Sequence, residues 1–128
     1  MRIVVLILAA WLLGGCSWTG PDIDVAGAHD AGTVIKGAPA VADLVVRNLG
    51  DRPLTVASVS TSCGCTKATL TPMIIPPGGQ GDLHVVYDSA AHKEDLGLIE
   101  RFVFISSDDP DEADVRIKFT IMVKAKPV

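Results

Sequence analysis

Alternation of apolar and polar residues with a period of two constrains this chain more than any other feature of its sequence. Between residues 115 and 123, apolar side chains occupy every second position and mostly polar ones fill the positions between. The apolar set is Val115, Ile117, Phe119, Ile121 and Val123. Since successive side chains of a strand point to opposite faces, this pattern predicts a strand with one buried face. Such strands bury their apolar faces when one sheet packs against another.

The rest of the chain after residue 31 shows the same signature in shorter pieces. Three further stretches alternate in this way, at 42–48, 83–87 and 99–105. Turn-forming runs rich in Asn, Asp, Gly and Pro separate the stretches. Six or seven short strands in about 100 residues, with no helical periodicity, predict an all-β chain. We therefore expect an immunoglobulin-like antiparallel β-sandwich of about seven strands over residues 32–126.

One stretch breaks the alternation. In residues 54–59 the large apolar side chains are Leu54, Val56 and Val59, so the pattern slips by one residue. An extra residue in one strand of a pair produces such a slip and bends the strand. We therefore expect a β-bulge here, or a bend at which the chain changes sheet.

The N-terminus has the features of a bacterial signal peptide. A short basic start precedes 13 apolar or small residues at 3–15, fewer than the roughly 20 that a membrane-spanning helix needs. The segment ends in Leu-Gly-Gly-Cys at 13–16, which resembles the lipobox of bacterial lipoproteins. The resemblance implies that residues 1–15 are removed as a signal peptide, with cleavage between Gly15 and Cys16. It also implies a diacylglyceryl thioether on Cys16.

Membrane attachment would set the location of the protein. Residues 16–31 keep no regular period and are expected to form a lipidated tether, although 24–34 could supply a first edge strand. We expect a lipid-anchored domain in the bacterial cell envelope that faces the periplasm. Ser17, rather than Asp, after the cysteine resembles the sorting signal for the outer membrane. Ordinary secretion with an incidental cysteine is the alternative.

The chain has three cysteines, and lipidation of Cys16 would leave Cys63 and Cys65 as a pair. Export places this pair in an oxidising compartment, and Gly64 between the two lacks the Cβ that would restrict the backbone. Three interpretations stay open. The pair forms two thiols or a short bridge that shapes the chain, a strained bridge that takes part in thiol exchange, or a soft-metal (copper) site.

Side chains that could assist a metal site stand at no recognised ligand spacing from the cysteine pair. The candidates are Thr66, Met73, His29, His84 and His92. We expect His84 to face solvent from a strand, and His29 and His92 to lie in the tether and in a loop. The sequence therefore predicts no cofactor and no well-defined metal site.

Charge and composition exclude several classes of function. The formal net charge is −4 and no basic stripe is present, which argues against a nucleic-acid partner. Five carboxylates between Asp108 and Asp114 suggest calcium, but they lack the spacing of an EF-hand loop, so we expect a solvated turn. No nucleophile, base and oxyanion site can be recognised together. We therefore expect a protein that is not an enzyme.

Several motifs resemble a bacterial family known as domain of unknown function 1573. They are Asn-Leu-Gly-Asp-Arg-Pro-Leu at 48–54, Cys-Gly-Cys-Thr at 63–66 and Pro-Pro-Gly-Gly at 76–79. The likeness covers residues 32–123, and the family is similar to the immunoglobulin-like domains of major sperm protein and periplasmic chaperones. It implies a sandwich but no activity. We expect a protein-binding or scaffolding module, with thiol-redox or copper handling through Cys63 and Cys65 as the alternative.

Overall fold

The computed structural model describes residues 20–128, which form nine strands. The strands are β1 (Ile23–Asp24), β2 (Ala28–Ile35), β3 (Pro39–Asn48), β4 (Leu54–Thr61), β5 (Thr66–Thr71), β6 (Ile74–Ile75), β7 (Gln80–Asp88), β8 (Gly97–Ser107) and β9 (Asp114–Lys124). No helix in this part of the chain is long and apolar enough to cross a membrane. The predicted signal peptide, its cleavage site and the lipidation site Cys16 lie outside the described residues.

The strands form two sheets that face each other, so the predicted all-β sandwich is confirmed. One sheet has the order β1-β3-β7-β5 and the other the order β2-β9-β8-β4-β6. Neighbouring strands are antiparallel except β2 and β9, which run parallel. The sequence did not predict this parallel pair, because alternation reports which face is buried and not which strand lies alongside. The strand number exceeds seven because β1 and β6 have only two residues each, too few to show a period.

The core lies between the sheets and is built from the alternating residues. In β9 the side chains of Ile117, Phe119, Ile121 and Val123 are each at most 2% exposed, as the alternation predicts. Each buried side chain of this size contributes about 1.5–3 kcal/mol to the hydrophobic stabilisation of the fold. Facing residues from the other sheet complete the layer: Val46, Leu83, Val85 and Tyr87.

The predicted irregularity in residues 54–59 is a β-bulge. The register of β4 against β8 shifts between Val56 and Ser58. Before the shift, Leu54 and Thr55 pair with the short strand β6. The bulge therefore lies just after the residues of β4 that pair with β6, and β8 lies along the opposite edge of β4.

Residues that the sequence assigned to the tether lie in the sheets. β1 pairs with the end of β3, and β2 begins at Ala28, so the boundary predicted at residue 32 falls inside β2. His29, expected in the tether, packs against Phe119 of β9 with the two rings tilted and their centroids 5.7 Å apart. β2 lies at the edge of its sheet, as the alternative for residues 24–34 allowed, but local sequence carries no signal for its parallel pairing with β9.

The start of the described chain is held against the turn that follows β3. The backbone N–H of Gly20 donates to Asp51 Oδ1 at 2.6 Å, and Asp51 N–H donates to Gly20 O at 3.2 Å. A Cβ atom on Gly50 would stand 2.0 Å from Gly20 O. Glycine is therefore required at position 50 by the close approach of two backbone segments.

Asn48, at the end of β3, is fully buried and joins three segments of backbone. Its Oδ1 accepts hydrogen bonds from the N–H groups of Asp22 at 3.1 Å and Gly50 at 3.0 Å. Its Nδ2 donates to Arg52 O at 2.7 Å and to Ile75 O at 3.0 Å. A side-chain amide has both donors and acceptors, so all four bonds are satisfied by one residue.

The acidic turn is not simply solvated, and that expectation is wrong for Asp109, which is 2% exposed. Its carboxylate accepts hydrogen bonds from the N–H groups of Ile23 at 2.8 Å, Asp111 at 2.8 Å and Glu112 at 3.1 Å. Burial alone would raise the pKa of Asp109, but these three donors hold it below its ordinary value. The carboxylate therefore fixes β1 to the turn.

We expect the substitution Asp109→Asn to lower the stability at neutral pH and to flatten its dependence on pH. A group with a lowered pKa in the folded state contributes stability above its unfolded pKa of about 3.9, and this contribution is lost as the pH falls through the folded value. Urea unfolding between pH 6 and 2 measures the effect. The exposed neighbour substitution Asp111→Asn serves as the control, and parallel pH curves for wild type and Asp109→Asn would contradict the prediction.

Candidate functional site

Cys63 and Cys65 form a disulfide in the loop between β4 and β5, with their Cα atoms 5.2 Å apart. The loop is closed by a hydrogen bond from Thr66 N–H to Cys63 O at 3.1 Å. Thr61 Oγ1 lies 2.9 Å from the carbonyl oxygens of both Cys63 and Thr66. These bonds turn the chain sharply from one sheet to the other and bring the two sulfurs together.

The two cysteines differ in their exposure. Cys65 belongs to the hydrophobic core and is 6% exposed, whereas Cys63 is partly exposed at the surface of the loop. An attacking group from solvent can therefore reach the Cys63 sulfur more readily than the Cys65 sulfur. The pair thus has one accessible and one protected sulfur atom, which is the arrangement that directed thiol exchange requires.

Hydrogen-bond donors surround both sulfur atoms. Cys63 Sγ lies 3.1 Å from the backbone N–H of Cys65 and 3.5 Å from His92 Nε2. Cys65 Sγ lies 3.3 Å from Arg101 Nε, which donates to it, and 3.6 Å from Thr66 Oγ1. A cation and N–H donors stabilise a thiolate relative to a thiol. The site is therefore arranged to favour negative charge on sulfur when the bridge is reduced.

Arg101 is held at Cys65 by a partly buried network. Its Nη2 lies 2.9 Å from Asp95 Oδ2, which also accepts a hydrogen bond from the Tyr87 hydroxyl at 2.7 Å. The guanidinium carbon is 5.5 Å from the centre of the Tyr87 ring, in a cation–π contact. These contacts fix the guanidinium, so that its Nε–H points at the sulfur.

The geometry of this network shifts the pKa values of Tyr87 and Asp95. Burial, together with the hydrogen bond to Asp95, raises the pKa of Tyr87 to about 12. Burial would raise the pKa of Asp95, but the Tyr87 hydroxyl and the Arg101 guanidinium lower it below its ordinary value. At neutral pH the network therefore contains a neutral phenol, a carboxylate and a guanidinium, with the positive end next to Cys65.

His92 comes to the site from the loop between β7 and β8. Thr66, at the start of β5, pairs with Tyr87 near the end of β7, so the loops before β5 and after β7 meet at one end of the sandwich. Lys36 Nζ donates to the carbonyl oxygen of His92 and, at 3.2 Å, to that of Asp95. The backbone of this loop is therefore anchored where the imidazole can reach Cys63.

The sequence identified the cysteines but missed Arg101 and the position of His92. Arg101 occupies an inward-facing position between Ile99 and Val103 in β8, and a charged residue in such a place is a signal that could have been used. For His92, the pairing of β5 with β7 would have been needed, and no local pattern reports it. Cys63 and His92 are 29 residues apart in the chain, and the pairing of β5 with β7 is what brings their loops together.

The other suggested helpers lie elsewhere, except Thr66. His84 faces solvent from β7, as predicted, and its Nδ1 lies 2.6 Å from Asp43 Oδ1. Met73 lies away from the disulfide. Its carbonyl oxygen accepts a hydrogen bond from the N–H group of Val56, which is five residues before the end of β4 that leads into the disulfide loop. Among the residues at 20–128, one group of three or more Cys, His, Asp and Glu has ligand atoms close enough for a metal ion, and it consists of Cys63, Cys65 and His92.

Comparison with known families gives a match to the family described as protein of unknown function (DUF1573), over residues 25–123. The chain belongs to this family. The match confirms the resemblance drawn from the sequence motifs and includes the Cys-Gly-Cys loop, Arg101 and His92 within its bounds. Among curated proteins no match was found.

Solved structures confirm the fold. A protein of unknown function from Porphyromonas gingivalis W83 has a TM-score of 0.75 and 26% identity over 83% of this chain. The chain spans about half of that protein, 48% of its length. The PapD-like domain 7 of human CEP192 has a TM-score of 0.58 at 10% identity, covering 100% of this chain and 98% of that domain. The Escherichia coli chaperone DraB has a TM-score of 0.57 at 12% identity, covering 80% of this chain and 55% of its own.

Proposed function

We propose that the Cys63–Cys65 pair exchanges electrons with thiols of partner proteins in the cell envelope. The observation that carries the proposal is the asymmetry of the two sulfurs: Cys63 is accessible, while Cys65 is buried beside Arg101. A thiol-exchange site needs an exposed sulfur to attack and a stabilised thiolate to expel. The β-sandwich supplies both from one short loop and the adjacent strand β8.

The exchange proceeds in two balanced steps. A partner thiolate attacks Cys63 Sγ, the Cys63–Cys65 bond breaks, and Cys65 leaves as a thiolate that the Arg101 guanidinium stabilises. A second thiolate of the partner then attacks the partner sulfur of this mixed disulfide and expels the Cys63 thiolate next to His92. The partner ends with a disulfide, and this chain ends with two reduced cysteines. Two electrons pass to the pair, and the reverse sequence reoxidises it.

Redox titration in glutathione buffers, with free thiols counted by alkylation and mass spectrometry, tests this function. We expect a midpoint potential between about −270 and −120 mV, the range of thiol oxidoreductases. The oxidised protein should also form a mixed disulfide with a small thiol at Cys63, and the substitution Cys63→Ser should abolish it. A midpoint below about −300 mV, typical of structural disulfides, would contradict the proposal.

A non-catalytic binding module is the second candidate, and one observation favours it. β1 pairs only with Arg47 and Asn48 of β3, so residues 39–46 have no strand on that edge within residues 20–128. Val41 and Val45 on this strand are 49% and 40% exposed. An extended segment of a partner can add to such an edge, as in chaperone complexes. The redox titration separates the two candidate functions. If the cysteine pair does not react, the open edge of β3 is the candidate site that remains.

We also propose that Cys16 carries a lipid that anchors the chain to the periplasmic side of the outer membrane. The lipobox-like Leu-Gly-Gly-Cys sequence supports the anchor, and Ser17 supports the choice of membrane. Since Gly20 is already bound to Asp51, only about 14 Å of extended chain can separate the domain from the lipid. A lipid on Cys16 would therefore be attached within that reach of the contact between Gly20 and Asp51.

The attachment point and the disulfide would lie at opposite ends of β4. The turn at Asp51 precedes β4, and the Cys63–Cys65 loop follows it, so the eight residues of β4 separate the two by about 25 Å.

Labelling of expressing cells with radioactive palmitate tests the anchor. Wild-type protein is expected to take up the label and to sediment with membranes, because the thiol of Cys16 receives the diacylglyceryl group. The substitution Cys16→Ala should abolish both, while Cys63→Ala, which removes a thiol elsewhere, should leave both unchanged. Label-free, soluble wild-type protein would refute the anchor.

A further inference from the structure

We infer that the reduced pair and His92 form a binding site for one Cu(I) ion. The inference rests on the proposed function in one respect, since the bridge must be reducible. The three ligand atoms, Cys63 Sγ, Cys65 Sγ and a His92 ring nitrogen, all lie within 4.8 Å of one another. They come from two loops that the sandwich holds at one end, so His92 already lies beside both cysteines in the oxidised protein.

The donor set selects a soft ion of low coordination number. Two thiolates and an imidazole suit Cu(I) and Zn(II), whereas magnesium and calcium require oxygen ligands. The nearest carboxylate of the network, Asp95, is engaged by Tyr87 and Arg101 and does not belong to the group of three. Zinc held by two cysteines and one histidine keeps a water as its fourth ligand, whereas Cu(I) forms stable sites with three donors and no water. The three donors therefore complete a Cu(I) site but leave a Zn(II) site one ligand short.

His92 is free to act as the third ligand because its loop is fixed through the backbone. Lys36 and Asp95 hydrogen-bond at the carbonyl oxygen of His92, and the imidazole is exposed. The contact of Nε2 with Cys63 Sγ, at 3.5 Å, already aims the ring at the sulfur. A small rotation of this side chain replaces that contact with a bond to the metal.

Charge and proton balance make binding depend on the redox state. Reduction of the bridge by an external dithiol adds two electrons and two protons, and Cu(I) then displaces both protons as it binds the two thiolates. The ion offsets negative charge that Arg101 alone would otherwise face at the buried Cys65 sulfur. The oxidised protein has no thiolate to offer, so the same two sulfurs either form the bridge or hold the metal.

Anaerobic titration of the purified, reduced protein with Cu(I), in competition with bicinchoninate, tests the inference. We expect one ion per chain, and an affinity that falls by about tenfold or more in His92→Ala. X-ray absorption at the copper edge should show two sulfur ligands and one nitrogen ligand. The oxidised protein and the Cys63→Ser variant should not bind. His84→Ala, which removes a histidine of the outer face, is the matched control and should bind as wild type does.

The outcomes separate this inference from the proposed redox function. Unchanged affinity in His92→Ala, Cu(I) binding by the oxidised protein, or a preference for Zn(II) over Cu(I) would each overturn the copper site. A midpoint potential in the exchange range combined with no copper binding overturns the copper site alone. A bridge that no buffer reduces in the folded protein overturns both.

Discussion

The substitution Asn48→Asp is expected to lower the free energy of unfolding by about 3–5 kcal/mol. The carboxylate has the size and shape of the amide but cannot donate to Arg52 O and Ile75 O, which Nδ2 now reaches at 2.7 and 3.0 Å. The buried Ile75 carbonyl would lose its donor at a cost of about 1–3 kcal/mol, and the part-buried Arg52 carbonyl would lose its donor as well. Asn48 is fully buried, so the new charge would also be removed from water and placed against two carbonyl oxygens.

Chemical denaturation of the oxidised protein at pH 7 measures this loss. The matched control is Gln80→Glu, the same change from amide to carboxylate at an exposed position of the neighbouring strand β7. It should change the free energy of unfolding by less than about 0.5 kcal/mol. Similar losses in the two variants would mean that the four hydrogen bonds of Asn48 do not stabilise the fold.

Asn48 also explains part of the motif by which the family can be recognised. The amide joins the ends of β1, β3 and β6, and Gly50 allows the backbone at Gly20 to approach within the space of a Cβ atom. These two residues of the motif are therefore structural. The Cys-Gly-Cys loop lies at the other end of β4 and has the reactive sulfur atoms. The recognisable sequence therefore combines residues that hold segments of the fold together with a separate reactive site.

The sequence predicts those features of this fold that depend on residues close together in the chain, and it does not predict those that depend on pairing between distant segments. One-sided burial repeats every two residues, so β9 and the slip at the bulge in β4 could be read directly from the chain. The strands β1 and β6 are too short for any period, and β2 is placed by its parallel pairing with β9. Asp109 looked like one carboxylate in a solvated cluster, because its burial depends on β1 folding over it.

The candidate site divides in the same way. The cysteine pair was visible because its two members are two residues apart, and only their chemical state was left open. Arg101 contacts Cys65, which lies 36 positions earlier in the chain, and His92 contacts Cys63, which lies 29 positions earlier. Those contacts depend on which loops share an end of the sandwich, and the topology alone determines that.

Arg101 is expected to control the redox properties of the pair, and Arg101→Gln should make the midpoint potential more negative by roughly 30–60 mV. A hydrogen bond to a charged group contributes about 1.5–3 kcal/mol, and about 1.4 kcal/mol corresponds to 30 mV for a two-electron couple. The guanidinium stabilises the Cys65 thiolate, which exists only in the reduced protein, so its loss disfavours reduction.

A structural role for Arg101 would give a different result. Loss of its bond to Asp95, at 2.9 Å, affects both redox states alike and therefore lowers stability without moving the potential. The control Arg116→Gln removes a guanidinium that stacks on Phe102 with 5.0 Å to the ring centre. This control should leave the potential unchanged. Equal potentials in wild type and Arg101→Gln would therefore show that Arg101 only supports the fold, because a group that stabilises the thiolate must favour the reduced state.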